Sequence, residues 1–214
     1  MIIFVANASH GLTHYLAGKN PGSVGRLISP GDFREPVDYL PYVIDNGAYS
    51  AFQNNTQWNE ESFFRLLDRC QLSRYKPNWI VVPDKVGDRN TTISLWKQYE
   101  NPLRKYKTKL AFAVQDGMTL KDVPESADVV FLGGSTEWKW RNAGLFVAQF
   151  PSVHVGRVNW WDKIEYCERI GVESIDGTGF FRAGTESIQA QQLRDFVEGI
   201  RRTNDQQDLF LHAL

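Results

Sequence analysis

Short runs of consecutive apolar residues recur along the chain, separated by polar or glycine-containing segments. Eight of these runs predict strands, at residues 2–6, 25–29, 42–45, 79–83, 110–114, 129–133, 153–156 and 173–176. Several runs are apolar throughout rather than alternating, which is typical of parallel strands that are covered on both faces. The pattern therefore favours a buried parallel sheet.

Amphipathic segments that predict helices lie between most of the strands, at residues 59–75, 91–106, 161–171 and 185–202. In the first segment, Phe63, Leu66 and Cys70 recur on one helical face. The last segment is expected to begin at an N-capping Thr185. No helical periodicity follows the second strand, so we expect a loop to replace one helix there.

The alternation of strands and helices predicts a compact (β/α)8 TIM-type barrel, formed as a single domain by residues 1–214. An open, doubly wound sheet is the alternative architecture. The N-terminal apolar run is too short for a membrane span and has no basic segment before it, so we expect neither a signal peptide nor a membrane. The two cysteines give no zinc cluster or disulfide framework, which fits a reducing cytoplasm.

A formal net charge of −1 gives no overall basic signal for nucleic acid. Any polyanion must therefore be held by local patches. The candidates for phosphate or nucleic-acid contact are Arg26, Lys139, Arg141, His154, Arg157 and Arg182. Each of them is equally compatible with an ordinary surface charge, or, for His154, with a core histidine or a proton-transfer group.

Polar residues follow several predicted strands at the end where barrel enzymes carry their active sites. Three carboxylates, a carboxamide and a glycine pair fall there: Asp45, Asp84, Asp176, Gln115 and Gly133–Gly134. Helix capping is the alternative for any single aspartate. Taken together, the residues fit glycosidic chemistry at a purine-like base, with one carboxylate attacking the anomeric carbon and another moving protons.

These motifs resemble those of the tRNA-guanine transglycosylase superfamily. The chain has "DNGAYS" where the family has a "DSGGFQ" type of motif, and "FAVQDG" where the family has "GIVQGG". Its "VVPDKVGD" segment offers Asp84 where the family has a base-binding aspartate at the end of a strand. It also has "GGSTEWK" where the family has a glycine-rich loop, and "VHVGRVNWWDKIEYCERIGVESIDGTGFFR" before and across the nucleophile. The resemblance covers residues 42 to 182.

The resemblance implies a role for each matched residue. Asp176 becomes the nucleophile and Asp45 the proton-transfer group. The base would be bound by Asp84, Gln115, Gly133, Gly134 and Ser135. Arg182 occupies the family's arginine position, while Tyr49 and Phe112 are candidates to sandwich the base.

Two departures shift the expected substrate from tRNA to DNA. The family has a Cys3His zinc site after the nucleophile, but no cysteine follows Cys167 here, and the chain leaves no room for an added RNA-binding domain. The compact, zinc-free form resembles the phage and bacterial enzymes that exchange guanine in DNA for a 7-deazaguanine such as preQ0. The implied partners are DNA with a flipped or single-stranded guanine, the free 7-deazaguanine base and, as a possibility, a protein that opens DNA; no metal or other cofactor is expected.

Three other functions stay open on the residues alone. Water attacking the Asp176 ester would make the protein a DNA glycosylase that excises a base. A tRNA substrate and a non-catalytic nucleic-acid-binding module are the remaining alternatives.

Overall fold

The computed structural model describes residues 1–6, 11–179, 184 and 186–199. Its strands are β1 (Ile2–Ala6), β2 (Val24–Ile28), β3 (Tyr42–Ile44), β4 (Trp79–Val81), β5 (Lys109–Val114), β6 (Val129–Leu132), β7 (Val153–Val155) and β8 (Ser174–Gly177). Each strand lies within two residues of its predicted bounds. The apolar runs were sufficient to locate them because their residues are buried on both faces.

All eight strands are parallel and follow one another in sequence order around a closed barrel. The barrel closes where β8 pairs with β1, with Phe4 opposite Asp176. The (β/α)8 TIM-type prediction is thus confirmed, and the open sheet is excluded.

The described residues form seven α-helices around the barrel. These are α1 (Gly11–Lys19), α2 (Ala48–Gln53), α3 (Glu60–Leu72), α4 (Arg89–Arg104), α5 (Thr136–Gln149), α6 (Trp161–Ile170) and α7 (Ile188–Val197). A 3-10 turn spans Leu120–Asp122. No helix connects β2 to β3, where all residues are described, and this confirms the predicted loop.

The helix ends follow from local capping groups. The Asp88 side chain accepts the backbone N–H of Thr91 and caps α4. Helix α7 begins after Ser187, whose hydroxyl accepts the N–H of Ala190, whereas the predicted cap Thr185 lies outside the described residues. None of the described helices has both the length and the apolar character needed to cross a bilayer.

The core has two layers because strand side chains alternate between the barrel interior and the helices. The inner layer includes Phe4, Leu27, Trp79, Ala113 and Phe131. The same alternation directs four polar side chains toward the barrel axis, those of Asp45, Gln115, His154 and Asp176. The interior is therefore apolar through its middle and polar at the C-terminal ends of the strands.

A cavity of about 240 Å³ lies at the opposite, N-terminal end of the barrel. Its walls include Phe4, Trp79 and Ser174. The two ends of the interior thus differ in character, since the C-terminal end is occupied by carboxylates.

Candidate active site at the C-terminal mouth of the barrel

Asp45 and Asp84 lie at the ends of adjacent strands and are joined by Asn46. The buried Asn46 amide donates to Asp84 Oδ1 at 2.7 Å and to the carbonyl of Val82 at 2.9 Å. Its own Oδ1 accepts the N–H of Ala48 at 2.7 Å, at the start of α2. Asn46, which sequence reasoning missed, therefore fixes the Asp84 carboxylate against the β3–α2 loop.

Gln115 completes this side of the mouth. Its Nε2 donates to Asp84 Oδ2 at 2.6 Å, and its Oε1 accepts the N–H of Gly87 at 3.1 Å. The side chain is only 2% exposed, so it has one orientation. Both Asp84 oxygens retain acceptor capacity, because each carboxylate oxygen can take two hydrogen bonds.

The surroundings of these aspartates change their acidity. Burial raises the pKa of Asp84 to about 6, against the opposing effect of the Asn46 and Gln115 hydrogen bonds. The pKa of Asp45 is raised to about 7, first because burial disfavours its charged form and also because the Asp84 and Asp176 carboxylates are close. Asp45 can therefore carry a proton near neutral pH, while Asp84 is mostly ionised.

Asp176 lies on β8 with 7% of its surface exposed, and donors meet both of its oxygens. His154 Nε2 is 2.9 Å from Oδ1, and the backbone N–H of Arg157 is 3.3 Å from Oδ2. The neighbouring Gly156 makes room for this arrangement, because a Cβ there would lie 3.2 Å from Asp176 Oδ1 and 2.9 Å from the Phe131 ring. The carboxylate is held at the base of the mouth.

Arg157 spans the mouth above Asp176. Its backbone is left-handed, with φ at 58°, and this conformation turns its N–H toward the Asp176 carboxylate. Its guanidinium donates to the carbonyl of Gly134 and lies 4.7 Å from the centre of the Tyr49 ring. The half-buried cation therefore links the ends of β3, β6 and β7.

The glycine-rich loop after β6 is only partly as predicted. The N–H of Gly133 donates to the carbonyl of Val114 at 3.2 Å, and the N–H of Ser135 donates to Asp116 at 2.6 Å. The expected base contact was through the N–H groups of Gly133 and Gly134, with Ser135 beside them; in this conformation the N–H groups of Gly133 and Ser135 have partners within the fold. The N–H of Gly134 has no hydrogen-bond partner among the described residues and is the remaining donor.

Three of the predicted nucleic-acid contacts point elsewhere. His154 is fully buried inside the barrel, and Lys139 is 1% exposed with its ammonium bonded to the carbonyl of Gly156. Arg26 is 9% exposed and donates to His14 at 2.7 Å, on the outer face of β2. These residues do not present a free charge to a phosphate, and the surface prediction is corrected for them.

Two of the other predicted basic residues, Arg141 and Arg157, can still reach a phosphate in solvent. Arg141 is exposed on α5 and pairs with Glu137, one helical turn away. Arg157 is at the mouth, and Arg182 lies outside the described residues.

Burial lowers the pKa of Lys139 to about 8, and the positive charge of Arg157 adds to this decrease.

Of the two aromatic candidates for base stacking, one is exposed at the mouth and the other is buried. Tyr49 is 39% exposed beside Arg157 at the mouth, where a planar base could contact it. Phe112 is 1% exposed and packs edge-on against Trp96 of α4. It faces the helices rather than the barrel interior, so its prediction as a base-stacking residue is wrong.

Structural roles account for two other strand-end aspartates. Asp88 caps α4, and Asp116 accepts both the N–H and the hydroxyl of Ser135. Asp45, Asp84 and Asp176 cap none of the helices described above, although Asp45 accepts the N–H of Gly47 in a local turn. Within the described part of the chain, no group of three or more histidine, cysteine or acidic side chains is arranged to hold a metal ion.

No model of a known protein family matches the chain, and no curated protein matches it either. The geometry of the mouth is therefore the basis on which its function has to be judged.

Proposed function

We propose that this protein is a DNA-guanine transglycosylase, which exchanges guanine in DNA for a 7-deazaguanine base through a covalent aspartyl–deoxyribose intermediate. The observation that carries the proposal is the convergence of Asp45, Asp84 and Asp176 at one barrel mouth. Asp84 is fixed there by Asn46 and Gln115, and Asp176 by His154 and the Arg157 N–H. One protonated and one hydrogen-bonded carboxylate are what double displacement at an anomeric carbon requires. The motif resemblance supports the same reaction.

In the first step, the target nucleotide leaves the DNA stack and its guanine enters the mouth. Asp84 accepts N–H groups of the base edge, and the second Nε2 proton of Gln115 is available to its carbonyl oxygen. A carboxylate oxygen of Asp176 attacks C1′ as the bond from C1′ to guanine N9 breaks. Asp45 donates its proton to the departing guanine, which leaves as the neutral base.

In the second step, the incoming 7-deazaguanine occupies the same site. Its N9 forms the bond to C1′ while the ester to Asp176 breaks, and Asp45 takes up the N9 proton. Asp45 and Asp176 thereby return to their starting states. Two inversions at C1′ preserve the configuration of the nucleoside.

The test incubates the protein and radiolabelled preQ0 with single-stranded DNA, with duplex DNA and, separately, with tRNA. We expect label in the DNA and a covalent protein–DNA species on a denaturing gel, and we expect Asp176→Asn to lose both by at least about 10³-fold because an amide is a poor nucleophile. Abasic sites without incorporated label would instead identify a hydrolytic DNA glycosylase. Label in tRNA but not in DNA would identify the RNA substrate, and no reaction with either would refute the proposal.

A further inference from the structure

The imidazole of His154 lies inside the barrel, away from solvent. It is 0% exposed, and its ring centre is 4.7 Å from that of Phe131 and 4.8 Å from that of Trp79. The third aromatic neighbour, Phe4, is 6.1 Å away. A polar ring in such apolar surroundings must have hydrogen-bond partners, because burial without them is costly.

Both ring nitrogens have partners on the neighbouring strand. Nε2 is 2.9 Å from Asp176 Oδ1, and Nδ1 is 2.9 Å from Ser174 Oγ. His154 is paired in register with Ser174, and Asp176 lies two residues further on the same inward face. The two partners of the imidazole are therefore fixed by the sheet itself.

Only one neutral tautomer satisfies all three groups. An ionised Asp176 can only accept, so Nε2 must carry the proton. The other nitrogen, Nδ1, then accepts the hydroxyl proton of Ser174. Ser174 is 3% exposed and lines the cavity at the N-terminal end, so this hydrogen-bonded chain runs from that cavity to the mouth.

We propose that His154 is the positioning residue of the Asp176 nucleophile and that Ser174 fixes its Nε2–H tautomer. This proposal rests on the proposed function. It assigns different tasks to the two carboxylate oxygens. Oδ1 faces β7, where it accepts from His154 and lies beside Gly156. Oδ2, which accepts only the longer 3.3 Å hydrogen bond from the Arg157 N–H, forms the bond to C1′.

The hydrogen bond has its greatest effect when the ester breaks. Oδ1 becomes the carbonyl oxygen of the glycosyl ester and regains negative charge as the incoming base displaces Asp176. A fixed N–H aimed at this oxygen stabilises the departing carboxylate without reorganisation. Loss of the donor should therefore slow the second step more than the first.

The first test compares His154→Gln with His154→Leu. The glutamine amide can place an N–H near the position of Nε2, whereas leucine fills similar space without a donor. We expect the leucine variant to lower kcat about 10- to 100-fold, with the KM for the 7-deazaguanine changed less than about threefold, and to accumulate the covalent protein–DNA species. The glutamine variant should recover most of this loss, and thermal melting of both variants reports on folding.

The second test reads the tautomer directly and needs no enzymatic activity. Long-range ¹H–¹⁵N spectra of the intact protein should show a proton on Nε2 of His154 and none on Nδ1. Ser174→Ala should weaken this preference, since Nδ1 loses its donor. A neutral Nδ1–H form or an imidazolium in the wild-type protein would overturn the proposal.

The two tests separate the proposals from one another. A wild-type protein that shows the Nε2–H tautomer but exchanges no base would refute the proposed function and leave the hydrogen-bond arrangement standing. An active protein whose leucine and glutamine variants behave alike would refute the positioning role alone. Should the leucine variant fail to fold, Ser174→Ala is expected to lower kcat several-fold, and unchanged kinetics in that variant would count against the proposal.

Discussion

The two halves of the barrel mouth place the same residue type in opposite surroundings. On the β3–β5 side, Asp45 is half-buried near other carboxylates, and its pKa rises to about 7. On the β7–β8 side, Asp176 meets an imidazole and a backbone N–H, with the Arg157 guanidinium above it. The first environment favours a bound proton, and the second orients a carboxylate for attack. In the proposed reaction, the neighbours, rather than the aspartates themselves, would make one carboxylate an acid and the other a nucleophile.

The pH dependence of exchange gives the largest test of this contrast. The proposed reaction requires a protonated Asp45, whose pKa is about 7, and an ionised Asp84, whose pKa is about 6. We expect kcat/KM to fall about tenfold per unit as pH rises above 7 and as it falls below 6. Rates measured from pH 4 to 9 test this expectation.

Asp45→Asn serves as the control for the alkaline limb of that profile. It should be far less active, and its residual rate should no longer fall between pH 7 and 9. An alkaline limb that survives in this variant would show that another group supplies the proton.

Filling the space beside Gly156, between the Phe131 ring and the Asp176 carboxylate, should give the next largest effect. In Gly156→Ala, the new methyl group meets the Phe131 ring at 2.9 Å and Asp176 Oδ1 at 3.2 Å. We expect a loss of about 1–3 kcal/mol in the free energy of unfolding, measured with urea, together with lower exchange activity. Gly144→Ala in α5 is the matched control, because its Cβ would meet only the Tyr166 hydroxyl at an ordinary 3.6 Å. Equal effects of the two substitutions would contradict this account.

The smallest effect concerns stability. It compares a carboxylate whose pKa is raised in the folded protein with one whose pKa is lowered. The folded pKa of Asp45 lies above its unfolded value of 3.8, so its contribution is complete below about pH 4 and is lost as pH rises through 7. Asp45→Asn, which cannot ionise, should therefore gain stability relative to the wild type as pH rises from 4 to 8.

Asp88→Asn provides the comparison of opposite sign. The hydrogen bonds from Thr91 lower the pKa of the Asp88 helix cap, so its contribution is present above pH 4 and is lost as pH falls. The substitution should therefore cost more stability at pH 7 than at pH 2. Unfolding curves at several pH values measure both variants, and a shift in the same direction for the two would contradict the assignment.

The strands could be predicted from sequence because a barrel strand buries nearly every residue. Helix α5 was harder to recognise, since its inner face includes the charged Lys139 instead of an apolar residue. The missing helix after β2 was predictable, because residues 29–41 show no apolar repeat at helical spacing.

The site was only partly predictable for a related reason. Strand-end position identified Asp45, Asp84, Gln115 and Asp176, which the structure brings to one mouth. Sequence reasoning also put Lys139 and His154 among the candidate phosphate contacts, whereas the structure buries both; for His154, the core alternative agrees with the structure. The two-residue alternation along β7 and β8 was the available signal for His154 and Ser174, whereas the burial of Lys139 depends on how α5 packs.

The pairing of β8 with β1 also sets when a nascent chain can acquire its chemistry. Asp176 belongs to the last of the eight barrel strands in sequence order, and it pairs with Phe4 in the first of them. Translation must therefore deliver seven strands before the Asp176 carboxylate exists, and closure of the barrel must then bring it to the mouth with Asp45. A chain interrupted before β8 would carry Asp45, Asp84 and Gln115 without Asp176, so under the proposed function it could hold a base but could not form the covalent bond to the sugar.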